Sequence, residues 1–224
     1  MKHIIIAAAA LALLGTSATA AQQDLTVSKN KRTVSVSPGP AHYTVPLAPP
    51  KGLTVVFNNI GKKYPDGVYF CCDGLTIAGP DSIEGQTVWP AIAFTPAADV
   101  TVTRVDLALG YDDHGANDVA VSIAADSGGL PGTLLETVHV SNLPEFGDCC
   151  AITRAKFKGI KLSAGQQYWV VAGTDANDST AFAAWALNTT EQIKTVRFAE
   201  NIGTGWELVN ANARPSPAFA VYGK

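Results

Sequence analysis

The residues best suited to chemistry lie in the stretch YDDHGANDVA, residues 111–120, which gathers Asp112, Asp113, Asn117 and Asp118 around a glycine. Carboxylate and carbonyl oxygens on a flexible loop are what calcium takes. These four residues are therefore the candidate metal ligands, with calcium as the expected ion. The spacing is not that of an EF-hand, and clusters of Asp, Asn and Gly also build ordinary hairpin turns. The stretch GTDANDST, residues 173–180, repeats the pattern more weakly.

Four tryptophans supply a second kind of chemistry. An aromatic face beside polar groups is how a shallow site holds a sugar ring. Trp169 and Trp185 sit inside apolar stretches and read as core. Trp89 precedes Pro90 and Trp206 follows IGTG, which makes these two the candidate ligand-binding residues. For each of them, simple packing is the competing reading.

Nucleophilic catalysis finds little support. Asp-Ser-Gly-Gly at residues 126–129 matches the nucleophile loop of a serine protease. No histidine sits in the context that such a triad requires, and the same residues make a Gly/Pro turn between two strands. Neither a zinc-protease helix motif, nor a phosphate-binding glycine loop, nor a nucleophile elbow is present. No catalytic residue is assigned. Paired carboxylates of the glycosidase kind come together only on folding. Two Asn-x-Ser/Thr sequons, at Asn177 and Asn188, matter only where a glycosylation machinery exists.

The four cysteines stand as two adjacent pairs, Cys71–Cys72 and Cys149–Cys150. In an exported chain they are expected to be oxidised, and four cysteines allow three pairings. Each doublet closes on itself, or the two are bridged in one of two registers. A cross-bridge closing about 80 residues is worth roughly 4–5 kcal/mol in the chain-entropy model. A second bridge beside it adds little, and a ring within a doublet stabilises nothing distant. Cross-bridging is the favoured expectation. Adjacent cysteines lack the spacer of structural zinc sites and of Cys-x-x-Cys redox motifs.

Export itself is read from the N-terminus. Lys2 and His3 precede an apolar run, Ile4–Leu14, and small residues end in Ala18-Thr19-Ala20. That is the order of a signal peptide, expected over residues 1–20. The run is too short to cross a bilayer of about 30 Å as a helix. No membrane span is expected after cleavage, and the location expected is secreted or periplasmic. The formal net charge of −3, with no basic stripe, gives nucleic-acid binding no footing.

These groups must be positioned by strands. Residues 21–51 read as a lead-in of one or two strands and a Pro-rich connector. Beyond it, residues 52–224 alternate short Val-, Thr-, Ile- and aromatic-rich segments with turn chemistry. In one of them Val119, Val121 and Ile123 fall on one face, with Ala120, Ser122 and Ala124 on the other. No helical period and no fixed repeat appear. The fold class expected is all-β: an antiparallel two-sheet β-sandwich, jelly-roll-like, in a single domain.

The order of several segments, among them AIAFTPAADVTVTRVDLALGY, VAVSIAADSGGLPGTLLET, NLPEFGDCC, LSAGQQYWVVA and PAFAVYG, resembles the choice-of-anchor R domain. The resemblance runs from about Thr54 to Gly223. It implies a bacterial exported β-domain, and brings no activity or site residues with it. The function expected is a non-enzymatic exported domain acting through surface contacts, with an extracellular polysaccharide or a surface protein as partner. The alternatives are a calcium-stabilised carbohydrate-binding module using Trp89 or Trp206, and a glycan-acting hydrolase.

Overall fold

The computed structural model describes residues 25–36, 50–61, 69–112, 114–148, 151–175, 178–188, 197–209 and 215–224, with Cys71 described in its backbone alone. The expected signal peptide and nearly all of the Pro-rich connector lie outside the described residues. The chain is all-β. Every sheet pairing is antiparallel, and no helix occurs among the described residues.

Three sheets form. The five-stranded sheet runs β1 (Thr26–Val27), β2 (Thr33–Ser35), β4 (Phe70–Ala78), β12 (Phe182–Leu187) and β7 (Leu109–Tyr111). The four-stranded sheet runs β10 (Thr153–Leu162), β6 (Val100–Leu107), β15 (Phe219–Gly223) and β3 (Thr54–Asn58). The six-stranded sheet runs β14 (Trp206–Val209), β13 (Phe198–Asn201), β5 (Trp89–Phe94), β11 (Tyr168–Gly173), β8 (Asp118–Ser127) and β9 (Leu130–Ser141).

The main core draws on all three sheets. Val119, Val121 and Ile123 of β8 are fully buried in it, together with Ile92 and Val170 from neighbouring strands. Its other members include Leu75 and Trp185 from the five-stranded sheet, and Leu107 and Phe219 from the four-stranded one. Burying each such side chain contributes about 1.5–3 kcal/mol. Trp185 meets Phe219 edge-on, with centroids 5.6 Å apart, and its indole N–H donates to the Ala218 carbonyl at 2.9 Å. Its one polar atom is thereby satisfied inside the core.

Alanines join the two smaller sheets. The Ala108 amide donates to the Ala218 carbonyl, the Ala218 amide to Ala186, and the Ala186 amide to Ala108, at 2.8–3.1 Å. All three are almost fully buried, and side chains of this size let three backbones close a ring. The lead-in strands are held more firmly than an edge appendage. Val34 of β2 is buried in a second cluster with Phe182 and Ala184 of the same sheet and Ala220 of the four-stranded one. Beside it, Arg32 reaches the fully buried Glu200 of β13, with its Nε 3.2 Å from the carboxylate.

Candidate functional site

The outer face of the six-stranded sheet carries a row of side chains set by register. Asn201 of β13 pairs with Trp206 of β14 on one side and with Trp89 of β5 on the other. Gly173 of β11 pairs with Ala120 of β8, which pairs with His139 of β9. Residues directly opposite across antiparallel strands share a face, so Trp206, Asn201 and Trp89 form one side of the row, and Gly173, Ala120 and His139 the other. Trp89 and Gly173 touch and close it: a Cβ on Gly173 would lie 2.9 Å from the indole. Ser122 and Thr137 form the next rung, with their hydroxyls hydrogen-bonded at 2.7 Å.

The middle of this face is small and its ends are large, so it is hollow. A groove of about 890 Å³ opens there, with Trp89, Trp206, Ser122, Thr137, His139 and Asp175 among its walls. That size falls in the range of small-molecule sites. The alternation of β8 explains the floor, since the strand buries branched residues inward and turns Ala120 and Ser122 outward. Trp89 is half-buried and fixed. Its indole N–H donates to Thr174 Oγ1 at 3.1 Å. Trp206 is half-buried, leaning on a small apolar cluster that includes Ala91, Ala199 and the fully buried Trp169.

At one end of the groove three carboxylates surround a single imidazole. His139 Nδ1 lies 2.6 Å from Asp118 Oδ1, and Nε2 lies 3.0 Å from Asp175 Oδ2. Asp178 Oδ2 is 4.0 Å from Nδ1. The hydrogen bond to Asp118 raises the His139 pKa above its usual value; burial opposes this and the neighbouring charges reinforce it. Burial pushes the Asp178 carboxyl up to about 6, and the nearby Asp175 adds to the rise while its backbone amide opposes it. Asp178 is 1 % exposed, and its Oδ1 accepts the Asp175 amide.

The described residues of 112–118 take separate partners. Asp113 lies outside the described residues. Asn117 uses both ends of its amide on Leu143, donating to the carbonyl at 3.2 Å and accepting from the N–H at 2.8 Å. The Asp112 amide bonds to the Phe182 carbonyl, and His114 closes on the Asp112 carbonyl. Gly115, at φ +76°, passes so near the Thr180 carbonyl that a Cβ would sit 1.9 Å from it. Of the three expected ligands among the described residues, Asp118 is the one placed at the His139 imidazole. Its companions Asp175 and Asp178 belong to the weaker stretch 173–180. His139 carried no signal of its own in the sequence. The β8–β9 register that brings it opposite Ala120 is what places it.

Ser127 stands in the β8–β9 hairpin, where the Gly129 amide donates to the side chain of Asp126 at 3.0 Å. Asn188 is 3 % exposed and donates to Ser216 Oγ at 2.9 Å, which is no place for a glycan. The cysteine pairing lies outside the described residues, since Cys149, Cys150 and the Cys71 side chain are not among them. Tyr69, two positions before Cys71, has its hydroxyl 3.1 Å from the Ala151 carbonyl and 3.4 Å from the Asp148 carbonyl. In sequence, these two residues flank the second doublet.

No protein-family model and no curated protein matches this chain.

Proposed function

We propose that this protein is an exported, non-enzymatic β-sandwich that binds glycan in the groove of its six-stranded sheet. In this reading the six-stranded sheet is one layer, and the two smaller sheets, joined by their alanine ring, are the other. A core shared by all three sheets supports that arrangement. The resemblance to choice-of-anchor R domains adds no weight to the ligand.

The observation that carries the proposal is the register row, in which Trp206 and Trp89 flank Asn201 across three strands. Two half-exposed indoles on one wall offer apolar faces for sugar rings. On the other wall the exposed Thr137 offers a hydroxyl for the sugar hydroxyls, beside the His139 ring. Asp81 and Asp175 also line the groove, so neutral or amino sugars fit better than polyanions. A glycan array followed by titration of the best binder tests the reading. Trp89→Ala and Trp206→Ala should each weaken binding about tenfold or more. Binding untouched by both substitutions, or silence across a broad panel, overturns it. Turnover of the bound glycan would replace it with the hydrolase alternative.

A further inference from the structure

We infer that Asp118, His139 and Asp178 form a binding site for a first-row transition dication of the zinc class, beside one end of the groove. One ligand atom from each of these residues lies within 4.8 Å of the other two. Two of them sit on the β8–β9 hairpin, and the third follows β11.

An acidic cluster alone would not carry this. The second observation is Asp178 Oδ2, which is buried, faces the imidazole and has no hydrogen-bond partner among the described residues. An imidazole offers two N–H groups at most. One is directed at Asp118 at 2.6 Å and the other at Asp175 at 3.0 Å. At 4.0 Å from Nδ1, the Asp178 oxygen is beyond hydrogen-bond reach. Even a protonated His139 therefore leaves one buried acceptor unused, and three carboxylates outweigh one imidazolium. A buried carboxylate oxygen in that position is costly unless a cation meets it.

A dication seated between Nδ1, Asp118 and Asp178 satisfies all three donors at once. It displaces the Nδ1 proton to solvent, as ligation of a histidine requires. Nε2–H then donates to Asp175, which gives the outer carboxylate that fixes the ring of a metal-bound histidine. Donors at 2.0–2.2 Å from zinc stand roughly 3.3–3.6 Å apart in a tetrahedron, a value lying between the 2.6 and 4.0 Å found here. The nitrogen donor selects the metal class: calcium and magnesium prefer all-oxygen shells, whereas imidazole with carboxylate suits zinc and its neighbours.

The inference does not depend on the glycan reading, because its test contains no sugar. Chelator-stripped full chain is titrated with zinc by calorimetry and followed by thermal melting, with calcium as the comparison. One equivalent of zinc should bind and raise Tm by several degrees, and calcium should do neither. Cobalt, used as a spectroscopic probe, should show the visible bands of a site with fewer than six ligands. Asp178→Asn keeps the oxygen that accepts the Asp175 amide, and should fold and bind zinc at least tenfold more weakly. His139→Gln should do the same. The absence of a zinc-dependent shift, or affinity unchanged in both variants, overturns the site and leaves the cluster as an imidazolium clasp.

Discussion

Trp89 rests its indole on the bare Cα of Gly173, with room for no further atom: a Cβ there would come within 2.9 Å of the ring. The contact fixes the angle of the aromatic face that looks into the groove. Gly173→Ala should tilt the ring away and loosen its N–H bond to Thr174, while the strand itself is undisturbed. Glycan affinity is expected to fall about tenfold with native circular dichroism retained. An unchanged dissociation constant by titration would show that the angle of Trp89 does not matter.

The Tyr69 hydroxyl, two positions before the first doublet, reaches the carbonyls of Asp148 and Ala151, which flank the second in sequence. Peptide mapping without reductant should recover the Cys71–Cys72 peptide linked to the Cys149–Cys150 peptide. Reduction should cost about 4–5 kcal/mol, the loop-entropy value for one cross-link. Four reactive thiols in the native protein would contradict both statements.

Arg32 and Glu200 tie the lead-in to the six-stranded sheet. The arginine is partly exposed and the carboxylate fully buried. Its loss falls between the limits for exposed and buried pairs. Arg32→Ala should destabilise by about 2 kcal/mol, and Arg32→Lys, lacking the planar fork, should recover part of that. Denaturant melts provide the measurement.

Asp126 gives a pH signature. Burial works against its carboxylate, but the Trp169 indole, the Gly129 amide and Gln167 donate to it, and Arg197 adds its charge, so its pKa is lowered. A depressed folded-state pKa contributes stability above the unfolded value that disappears as pH falls through the folded one. Tm of the native protein should therefore drop more steeply below about pH 4 than that of Asp126→Asn. Parallel acid limbs for the two proteins would remove the carboxylate from the account.

Much of the architecture is readable in the chain because strand periodicity is local. The alternation at residues 119–124 names both the buried face of β8 and the small residues that later floor the groove. Trp169 and Trp185, set in apolar runs, are both fully buried. The lead-in LTVSKNKRTVSVS contains β1 and β2. What fails to show is whatever depends on register between distant strands. Asp112, Asp113, Asn117 and Asp118 are close in sequence, yet the turn spends Asn117 on Leu143 and sends Asp118 to a histidine on the next strand. Trp89 and Trp206 look like separate surface residues until β13 is laid between them. No reading of either segment alone contains that row.

β2 also has a protective consequence. It covers Asp73–Leu75 on the outer edge of β4, and Phe70 at the start of that strand is 48 % exposed. A proteolytic nick that frees the lead-in would uncover unpaired amides and carbonyls beside an apolar ring, the template on which chains add to one another edge to edge. Clipped material should thus self-associate before it unfolds.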